Sequence, residues 1–133
     1  MTNEQETAAT IPEHFFNIAR AEGGIVRELA PGITTTVFTG EQAMVSIVRF
    51  AANCRGVLHS HPEEQWGLCL SGSGVRFQGD AQVPVGPGDF WRTPGETPHT
   101  MESGSEGLVV MDVFAPPRRA YEKPGSGFAA SED

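Results

Sequence analysis

Short segments rich in β-branched and apolar residues, separated by breaks rich in glycine and proline, fill most of the sequence from residue 25 to residue 114. The 16 glycines and 10 prolines are spread between these segments, where they act as turn residues. Short strands separated by such turns are typical of an antiparallel sandwich or barrel. The sequence therefore predicts an all-β fold with strands at residues 25–29, 33–38, 43–51, 64–70, 75–78, 81–85, 90–93 and 108–114.

The length of 133 residues fits one domain. We divide the chain into an N-terminal arm at residues 1–24, a barrel at residues 25–118 and a C-terminal tail at residues 119–133. Residues 11–21 are predicted to form a short helix, because Pro12 suits a first helical turn and Phe15 and Ile18 recur at roughly helical spacing. An extended arm is the alternative. The segment after residue 115 shows little pattern and is predicted to be disordered or to lie over the barrel.

Two histidines, His59 and His61, stand one residue apart in the middle of the chain. Alternate side chains of an extended segment point to one face, so both imidazoles can reach one point. Pro62 then turns the chain, and a carboxylate or amide side chain follows within a few residues. A third histidine, His99, follows its own turn and can close the set. We interpret these residues as a metal site, because a single histidine is usually structural whereas three such residues together are not.

The net charge of −8 argues against nucleic acid or an anionic membrane as a partner. It does not exclude a small anionic substrate, since a local metal can outweigh the overall charge. The sequence has no apolar run of membrane-spanning length and no signal-peptide pattern at its start. The two cysteines, Cys54 and Cys69, do not make a disulfide framework. We therefore expect a cytoplasmic protein with free thiols.

Residues 64–70 carry two different faces if they form a strand. Trp66, Leu68 and Leu70 lie on one face, and residues 65, 67 and 69 lie on the other. If the metal ligands point inward, the tryptophan face points outward. An outward apolar row is usually covered, either by the N-terminal arm or by a second subunit. The pattern therefore predicts a homodimer.

Asp112 interrupts the apolar run at residues 108–114. A carboxylate on such a strand is costly unless it is paired or faces a polar interior. Alternation puts Asp112 on the same face as Phe114, so both are predicted to approach the metal cavity. A structural ion pair with Arg49 or Arg118 is the alternative. Arg118 lies just past the strand, where we expect it to reach over the mouth of the cavity and hold a carboxylate by a two-point contact.

Trp91 and Arg92 precede Pro94, and we expect both to rim the cavity; packing in the core or an interface is the alternative for Trp91. Arg76 lies on a segment expected to face outward, and it is predicted to be solvated. Cys69 shares the expected ligand face and is predicted to be a buried packing thiol.

With these residues the sequence resembles the cupin family. The first cupin motif is a glycine, a His-x-His pair, a carboxylate or glutamine about four residues on and a glycine seven further. His59, His61, Gln65 and Gly72 match this spacing, and Asn53 stands in place of the first glycine. The second motif is matched by Gly88, Pro94 and His99. The resemblance implies a double-stranded β-helix (jelly-roll) barrel and a divalent transition metal (Ni, Zn, Fe or Mn) held by His59, His61, Gln65 and His99. Glu64 replaces Gln65 as a ligand if the loop shifts by one residue.

The run from Asp112 to Arg118, together with residues 59–65, resembles the small single-domain cupins of the pectin-degradation protein KdgF type. That family opens 4,5-unsaturated monouronates to linear keto acids. The resemblance implies that Asp112 moves protons, that Phe114 shapes the pocket and that Arg118 holds the substrate carboxylate. Trp91, which we expect at the rim, is a further predicted substrate contact. We therefore expect a metal-dependent lyase or isomerase acting on a small acidic sugar derivative.

Two other functions remain open at this stage. One is a metal-dependent dioxygenase acting on a small aromatic or thiol substrate, and the other is a non-enzymatic cupin that binds a ligand. An amide ligand is neutral, so the metal keeps its full formal charge and is a stronger Lewis acid towards an anion. The same feature makes the site less suited to the oxygen chemistry of iron sites with two histidines and one carboxylate.

Overall fold

A computed structural model describes residues 11–123 and 125–128 of the chain. These residues form seven strands and one short 3-10 helix, and the all-β prediction is confirmed. The elements are β1 (Ile25–Ala30), β2 (Ile33–Thr39), β3 (Met44–Phe50), β4 (Glu64–Gln78), β5 (Ala81–Val85), β6 (Phe90–Thr93), β7 (His99–Ala115) and the 3-10 helix (Arg119–Glu122). None of the helical structure in the described part is long and apolar enough to cross a membrane.

The strands join into one antiparallel sheet with the order β1-β2-β3-β7-β4-β5, and β6 pairs with β4. The two long strands, β4 with 15 residues and β7 with 17, pair along most of their length. The loop that carries His59 joins the sheet next to the start of β7, through an isolated bridge to His99. This connection brings the two histidine segments to the same end of the sheet.

Strand β4 replaces two predicted strands, because the glycine-rich segment at residues 71–74 is not a turn. The pairing of β4 with β7 instead shifts register between Cys69 and Ser71 and again between Gly72 and Gly74. Gly72 has a φ of +82°, and a Cβ added there would lie 2.1 Å from the carbonyl oxygen of Gly107. Only glycine fits this close approach in this backbone conformation.

The core lies on the inner faces of these strands and under the C-terminal tail. Every strand except β6 contributes a buried apolar side chain, and Tyr121 of the 3-10 helix completes the cluster. The buried set is Leu29, Ile33, Val37, Met44, Val48, Phe50, Cys69, Val85, Met101, Leu108, Val110, Phe114 and Tyr121. Both cysteines are free thiols, and Cys69 is buried as predicted.

The helix predicted at residues 11–21 is wrong, because this segment forms a series of turns. The Asn17 side chain accepts a hydrogen bond of 2.8 Å from the amide of Ala19, a local contact that competes with helical hydrogen bonding. His14 has a φ of 74°, which also lies outside the helical region. The arm contacts the sheet through Phe16, whose ring centroid lies 4.9 Å from that of Phe38.

The described part of the C-terminal tail lies over the strands, which was one of its two predicted arrangements. Arg27 on β1 is only 4% exposed and donates to four carbonyl oxygens of the tail, those of Ala120, Lys123, Ser126 and Gly127, at 2.8–3.3 Å. Its guanidinium also lies 5.0 Å from the ring centroid of Tyr121. A single buried cation thus attaches the tail to the sheet. Residues 129–133 of the predicted tail, and residues 1–10 of the predicted arm, lie outside the described residues.

Candidate metal centre

Three histidines converge at the end of the sheet where β4 and β7 meet. Nitrogen atoms of His59, His61 and His99 all lie within 4.8 Å of one another. The backbones of His59 and His99 exchange two hydrogen bonds, of 2.9 and 3.1 Å, which hold the two segments side by side. The sequence prediction that these three imidazoles come together is confirmed.

The ring orientation of each histidine is fixed by its Nδ1 atom. Nδ1 of His59 lies 2.8 Å from the carbonyl oxygen of Val57, and Nδ1 of His99 lies 2.8 Å from that of Thr97. Nδ1 of His61 lies 3.1 Å from the carbonyl oxygen of Glu63. A carbonyl oxygen only accepts, so Nδ1 carries the proton in His59 and His99, and Nε2 is the atom that each of these rings can offer to a metal. His61 has a second acceptor at Nε2, the Oε1 atom of Gln65, so its two contacts do not fix its tautomer.

The residues present fit a divalent metal. Nε2 of His99 is buried and has no hydrogen-bond partner among the described residues. An unsatisfied buried acceptor costs about 1–3 kcal/mol, and a bound cation removes that cost. Burial, reinforced by the positive charge of Arg76, lowers the pKa of His99 to about 2. Burial, reinforced by Arg118, lowers the pKa of His61 to about 4. Both rings are therefore neutral at neutral pH, as metal ligands must be.

Gln65 rather than Glu64 faces the histidines. Alternation along β4 puts Gln65 on the inner side, where it is 4% exposed and its Oε1 atom lies 3.0 Å from Nε2 of His61. Glu64 points the other way and forms an ion pair with Arg92 on the neighbouring strand β6. Oε1 of Gln65 thus adds a fourth potential ligand atom to the three imidazole nitrogens. That it binds the metal stays a prediction.

Asp112 lies on β7 opposite Gly67, diagonally across the strand pair from Gln65. The Oδ1 atom of its carboxylate is buried without a hydrogen-bond partner in the described part of the chain. Burial raises the pKa of Asp112 to about 6, and the charge of Arg76 opposes this shift. Neither Arg49 nor Arg118 forms the ion pair that the sequence suggested as an alternative, because Arg49 donates to the carbonyl oxygen of Ile18 and Arg118 lies beside another carboxylate.

His59, His99 and Asp112 line one small cavity of about 40 Å³. A water needs roughly 10–15 Å³ measured in this way, so the cavity has room for about three waters. Aromatic rings form much of its wall. Phe114 stands edge-on to His61 at 5.5 Å between centroids, and Tyr121 stands edge-on to Phe114 at 5.8 Å. Phe128 of the tail lies 4.8 Å from the ring of His59 and closes the cavity.

The expected position of Arg118 over the mouth of the cavity is wrong. The residue is 1% exposed, with its guanidinium 4.4 Å from the ring centroid of Tyr121 and 5.7 Å from that of Phe114. Its Nε atom lies 3.7 Å from Oε1 of Glu63, and this oxygen also lies 3.4 Å from Nδ1 of His61. The tail continues past Arg118 and covers it, so the residue lies behind His61 and not over the cavity.

Arg76 is a residue of the site that sequence reasoning missed. It was expected to be solvated, but it is 6% exposed and lines the same cavity as Asp112 and His99. The two register shifts in β4 explain the error. Residues an odd number of positions apart lie on opposite faces of a regular strand. The shifts nevertheless place both Cys69 and Arg76 on the inner side. Tyr121 was also missed, because nothing in the pattern of the tail marked it as buried.

Trp91 lies away from the metal cavity. It lines a second cavity of about 310 Å³ that also borders Phe90, Val83 and Arg76. The guanidinium of Arg76 lies 5.5 Å from the Trp91 ring centroid. A Cβ added to Gly67 would lie 2.4 Å from Nε1 of Trp91, so the tryptophan packs on the inner side of β4. Its predicted contact with substrate remains a prediction.

Comparison with known proteins identifies the fold. The Cupin_2 family of cupin domains matches residues 46–114. An RmlC-like cupin from Shewanella frigidimarina NCIMB 400 superposes with a TM-score of 0.72 at 19% identity, covering 83% of this chain and 96% of that one. KdgF from Halomonas sp. superposes with a TM-score of 0.67 at 24% identity, covering 71% and 90%.

A variant of oxalate decarboxylase from Bacillus subtilis superposes with a TM-score of 0.63 at 25% identity over 67% of this chain. The match covers only 26% of that longer protein. None of the curated proteins matches the sequence. These similarities show the fold, and the chemistry has to be argued from the site.

Proposed function

The chain belongs to the cupin family, and on this premise we propose that it is a metal-dependent lyase or isomerase. Its substrate would be a small acidic sugar derivative, such as an unsaturated uronate, that is opened or tautomerised. His59, His61 and His99, with Gln65 as a neutral fourth donor, would hold a divalent transition metal. When bound, this metal supplies Lewis-acid polarisation of a substrate hydroxyl or carbonyl oxygen.

One observation carries the proposal, namely that Asp112 lines the same small cavity as His59, His99 and Gln65. A proton-accepting carboxylate therefore borders the same space as these predicted metal ligands. Because the buried Oδ1 atom has no protein partner among the described residues, it is available to a substrate.

The reaction needs proton transfers and no oxidant or reductant. In a cyclic 4,5-unsaturated uronate, the anomeric hydroxyl loses its proton and the bond between the anomeric carbon and the ring oxygen breaks. The ring oxygen becomes the oxygen of an enolate, and the enolate carbon that does not bear this oxygen gains the proton to give the keto acid. One carboxylate that first accepts and then returns a proton balances these steps. Asp112 is the carboxylate placed to do so.

The electrostatics of the site support an anionic substrate. His61 and His99 are neutral, and an amide adds no charge, so the charge of a bound cation is not cancelled by its ligands. The resemblance of the segment from Asp112 to Arg118 to KdgF-type cupins agrees with a uronate. In this account Phe114 shapes the pocket, and Arg118 is a positioning residue that holds Glu63 against His61.

Access to the site requires movement of the tail. A cavity of about 40 Å³ is much smaller than the several hundred Å³ typical of small-molecule sites. Phe128, which covers His59, is the ring that has to move to admit a sugar acid. Once the tail has returned, Phe128 and Tyr121 exclude bulk water from the reacting atoms.

The test is turnover of a 4,5-unsaturated monouronate by metal-loaded wild type and by Asp112→Asn. We expect the variant to keep its metal and to lose turnover by at least about a hundredfold, the lower end of typical general acid–base contributions. Asp80→Asn, which removes an exposed carboxylate in the turn after β4, is the matched control and should keep full activity. Unchanged turnover in Asp112→Asn contradicts the proposal, and loss of metal makes Asp112 a structural residue. Oxygen uptake in place of isomerisation would point to a dioxygenase.

A further inference from the structure

We infer that Arg76 binds the carboxylate of the ligand in the metal cavity, so that the site takes a small carboxylic acid with a second oxygen for the metal. The inference rests on the proposed metal site and extends it to the chemical class of the ligand. It assigns to Arg76 the role that the family resemblance implied for Arg118.

Arg76 is a buried cation that donates hydrogen bonds to neutral side chains, while the Asp112 carboxylate acts on it at longer range. Its Nε atom donates to Oε1 of Gln78 at 3.2 Å, and its Nη2 atom donates to Oγ1 of Thr93 at 2.8 Å. Among the described residues, no carboxylate oxygen lies within 4.0 Å of its guanidinium nitrogens. Burial lowers its pKa to about 10, so it stays charged at neutral pH. A buried guanidinium with no carboxylate in direct contact is costly, and a bound anion lowers that cost.

The charges around the cavity favour an anion. Asp112 is the only carboxylate among the described residues that line it, and Arg76 is the only guanidinium. A divalent metal with neutral ligands adds two positive charges, so the cavity as a whole is cationic. The planar guanidinium binds a carboxylate by two parallel hydrogen bonds, which fixes orientation as well as charge.

Arg118 is not placed for this role. It lies 3.7 Å from Glu63, which already provides a carboxylate partner, and it does not line the cavity. The ring of Tyr121 covers it and belongs to the cavity wall. A carboxylate in the cavity therefore meets Arg76.

Arg76 is also accessible from a second side. It lines the cavity of about 310 Å³ that borders Trp91, Phe90 and Val83. An anion bound from that side would not contact the metal. Dependence of anion binding on the metal therefore distinguishes the two sides.

The test uses glycolate as the probe, since it carries one carboxylate and one hydroxyl, with the neutral glycolamide for comparison. We expect glycolate to bind metal-loaded wild type, and Arg76→Gln to weaken this binding by about ten- to a hundredfold, the usual effect of losing a charged hydrogen bond. Glycolamide should bind both proteins equally. Arg20→Gln removes the same charge from an exposed site in the arm and should leave glycolate binding unchanged.

Glycolate binding by Arg76→Gln at wild-type strength, with a full metal content, overturns the inference. So does binding that is the same with and without metal, or no binding to metal-loaded wild type. If Arg76→Gln does not fold, the nitrogen NMR signal of Arg76 Nε in wild type decides, because it must shift when glycolate is added. Glycolate binding needs no turnover, so a protein that binds glycolate through Arg76 but leaves uronates unchanged refutes only the proposed reaction.

Discussion

Nε2 of His61 lies 3.0 Å from Oε1 of Gln65, and Nδ1 of the same ring lies 3.1 Å from the carbonyl oxygen of Glu63. Both oxygens only accept hydrogen bonds, whereas a neutral imidazole carries one N–H. One ring nitrogen therefore turns its lone pair towards an acceptor, a contact that a shared cation would relieve. This contact supports the proposal that Nε2 of His61 and Oε1 of Gln65 are ligands of one metal.

The neutral histidines predict how the metal-free protein responds to acid. Because burial lowers the pKa of His99 to about 2, the unfolded chain binds more protons than the folded chain below the ordinary pKa of 6.5. The free energy of unfolding is therefore highest above pH 6.5 and decreases as the pH falls towards the pKa of His99 in the folded state. Between pH 6.5 and pH 5 this residue should cost about 1–2 kcal/mol of the free energy of unfolding.

The measurement is urea unfolding of chelator-treated wild type and His99→Gln at both pH values. The free energy of unfolding of wild type minus that of His99→Gln should be smaller at pH 5 than at pH 6.5, by about 1–2 kcal/mol. Asp112 acts in the opposite direction in wild type, because its raised pKa relieves a buried charge as the pH falls. The comparison with His99→Gln separates the two effects. A stability difference that does not change with pH would show that His99 is not held neutral in the fold.

The histidine cluster and the inner face of β4 were predictable because both follow local rules. Strand alternation placed Gln65 inward and Trp66 outward, and the positions of His59, His61 and His99 followed from motif spacing. Alternation likewise brought Asp112 to the cavity wall. These residues lie on regular stretches where a period of two holds without interruption.

The rest depended on features that local patterns do not encode. Arg76 faces inward because two register shifts break the alternation of β4. Tyr121 and Phe128 reach the cavity because Arg27, about ninety residues earlier in the chain, binds the tail. Arg118 is covered by the same tail. No periodicity in a short segment indicates contacts between residues so distant in sequence.

Arg27 predicts a coupling between the tail and overall stability. Replacing it by glutamine removes donors to four tail carbonyls and leaves the cation site over Tyr121 empty. We expect Arg27→Gln to lower the free energy of unfolding by about 2–4 kcal/mol, because hydrogen bonds from charged groups are among the stronger ones. Hydrogen exchange of the backbone amides at residues 119–128 should speed up.

Arg20→Gln is the control for Arg27, since this exposed arginine pairs only with Glu22, at 3.7 Å, in the arm. It should change neither the unfolding energy nor the exchange of the tail. If Arg27→Gln left tail exchange at the wild-type rate, the tail would be held by its apolar contacts alone.

The outward face of β4 and β6 predicts self-association. Trp66 is 44% exposed and Phe90 is 67% exposed, with ring centroids 6.5 Å apart. The described arm packs elsewhere, against Phe38, so it leaves this apolar face open. We expect two copies of the chain to join through it. Sedimentation should give twice the monomer mass of 14.2 kDa for wild type, and the monomer mass for a Trp66→Arg, Phe90→Ser double variant.

Phe15→Ser provides the control for this surface, because Phe15 is 66% exposed but lies in the arm. It should leave the sedimentation of the dimer unchanged. A wild-type protein that sediments as a monomer would rule out the interface.

Elemental analysis of protein purified without added metal tests most directly whether the three-histidine centre binds a metal. Wild type should carry about one divalent transition metal per chain. A His61→Gln, His99→Gln double variant should retain less than about a tenth of that amount. His14→Gln, which changes the exposed histidine of the arm, should keep the wild-type content. Folded wild type that holds no metal and takes none up, or a double variant that holds as much as wild type, would contradict the account.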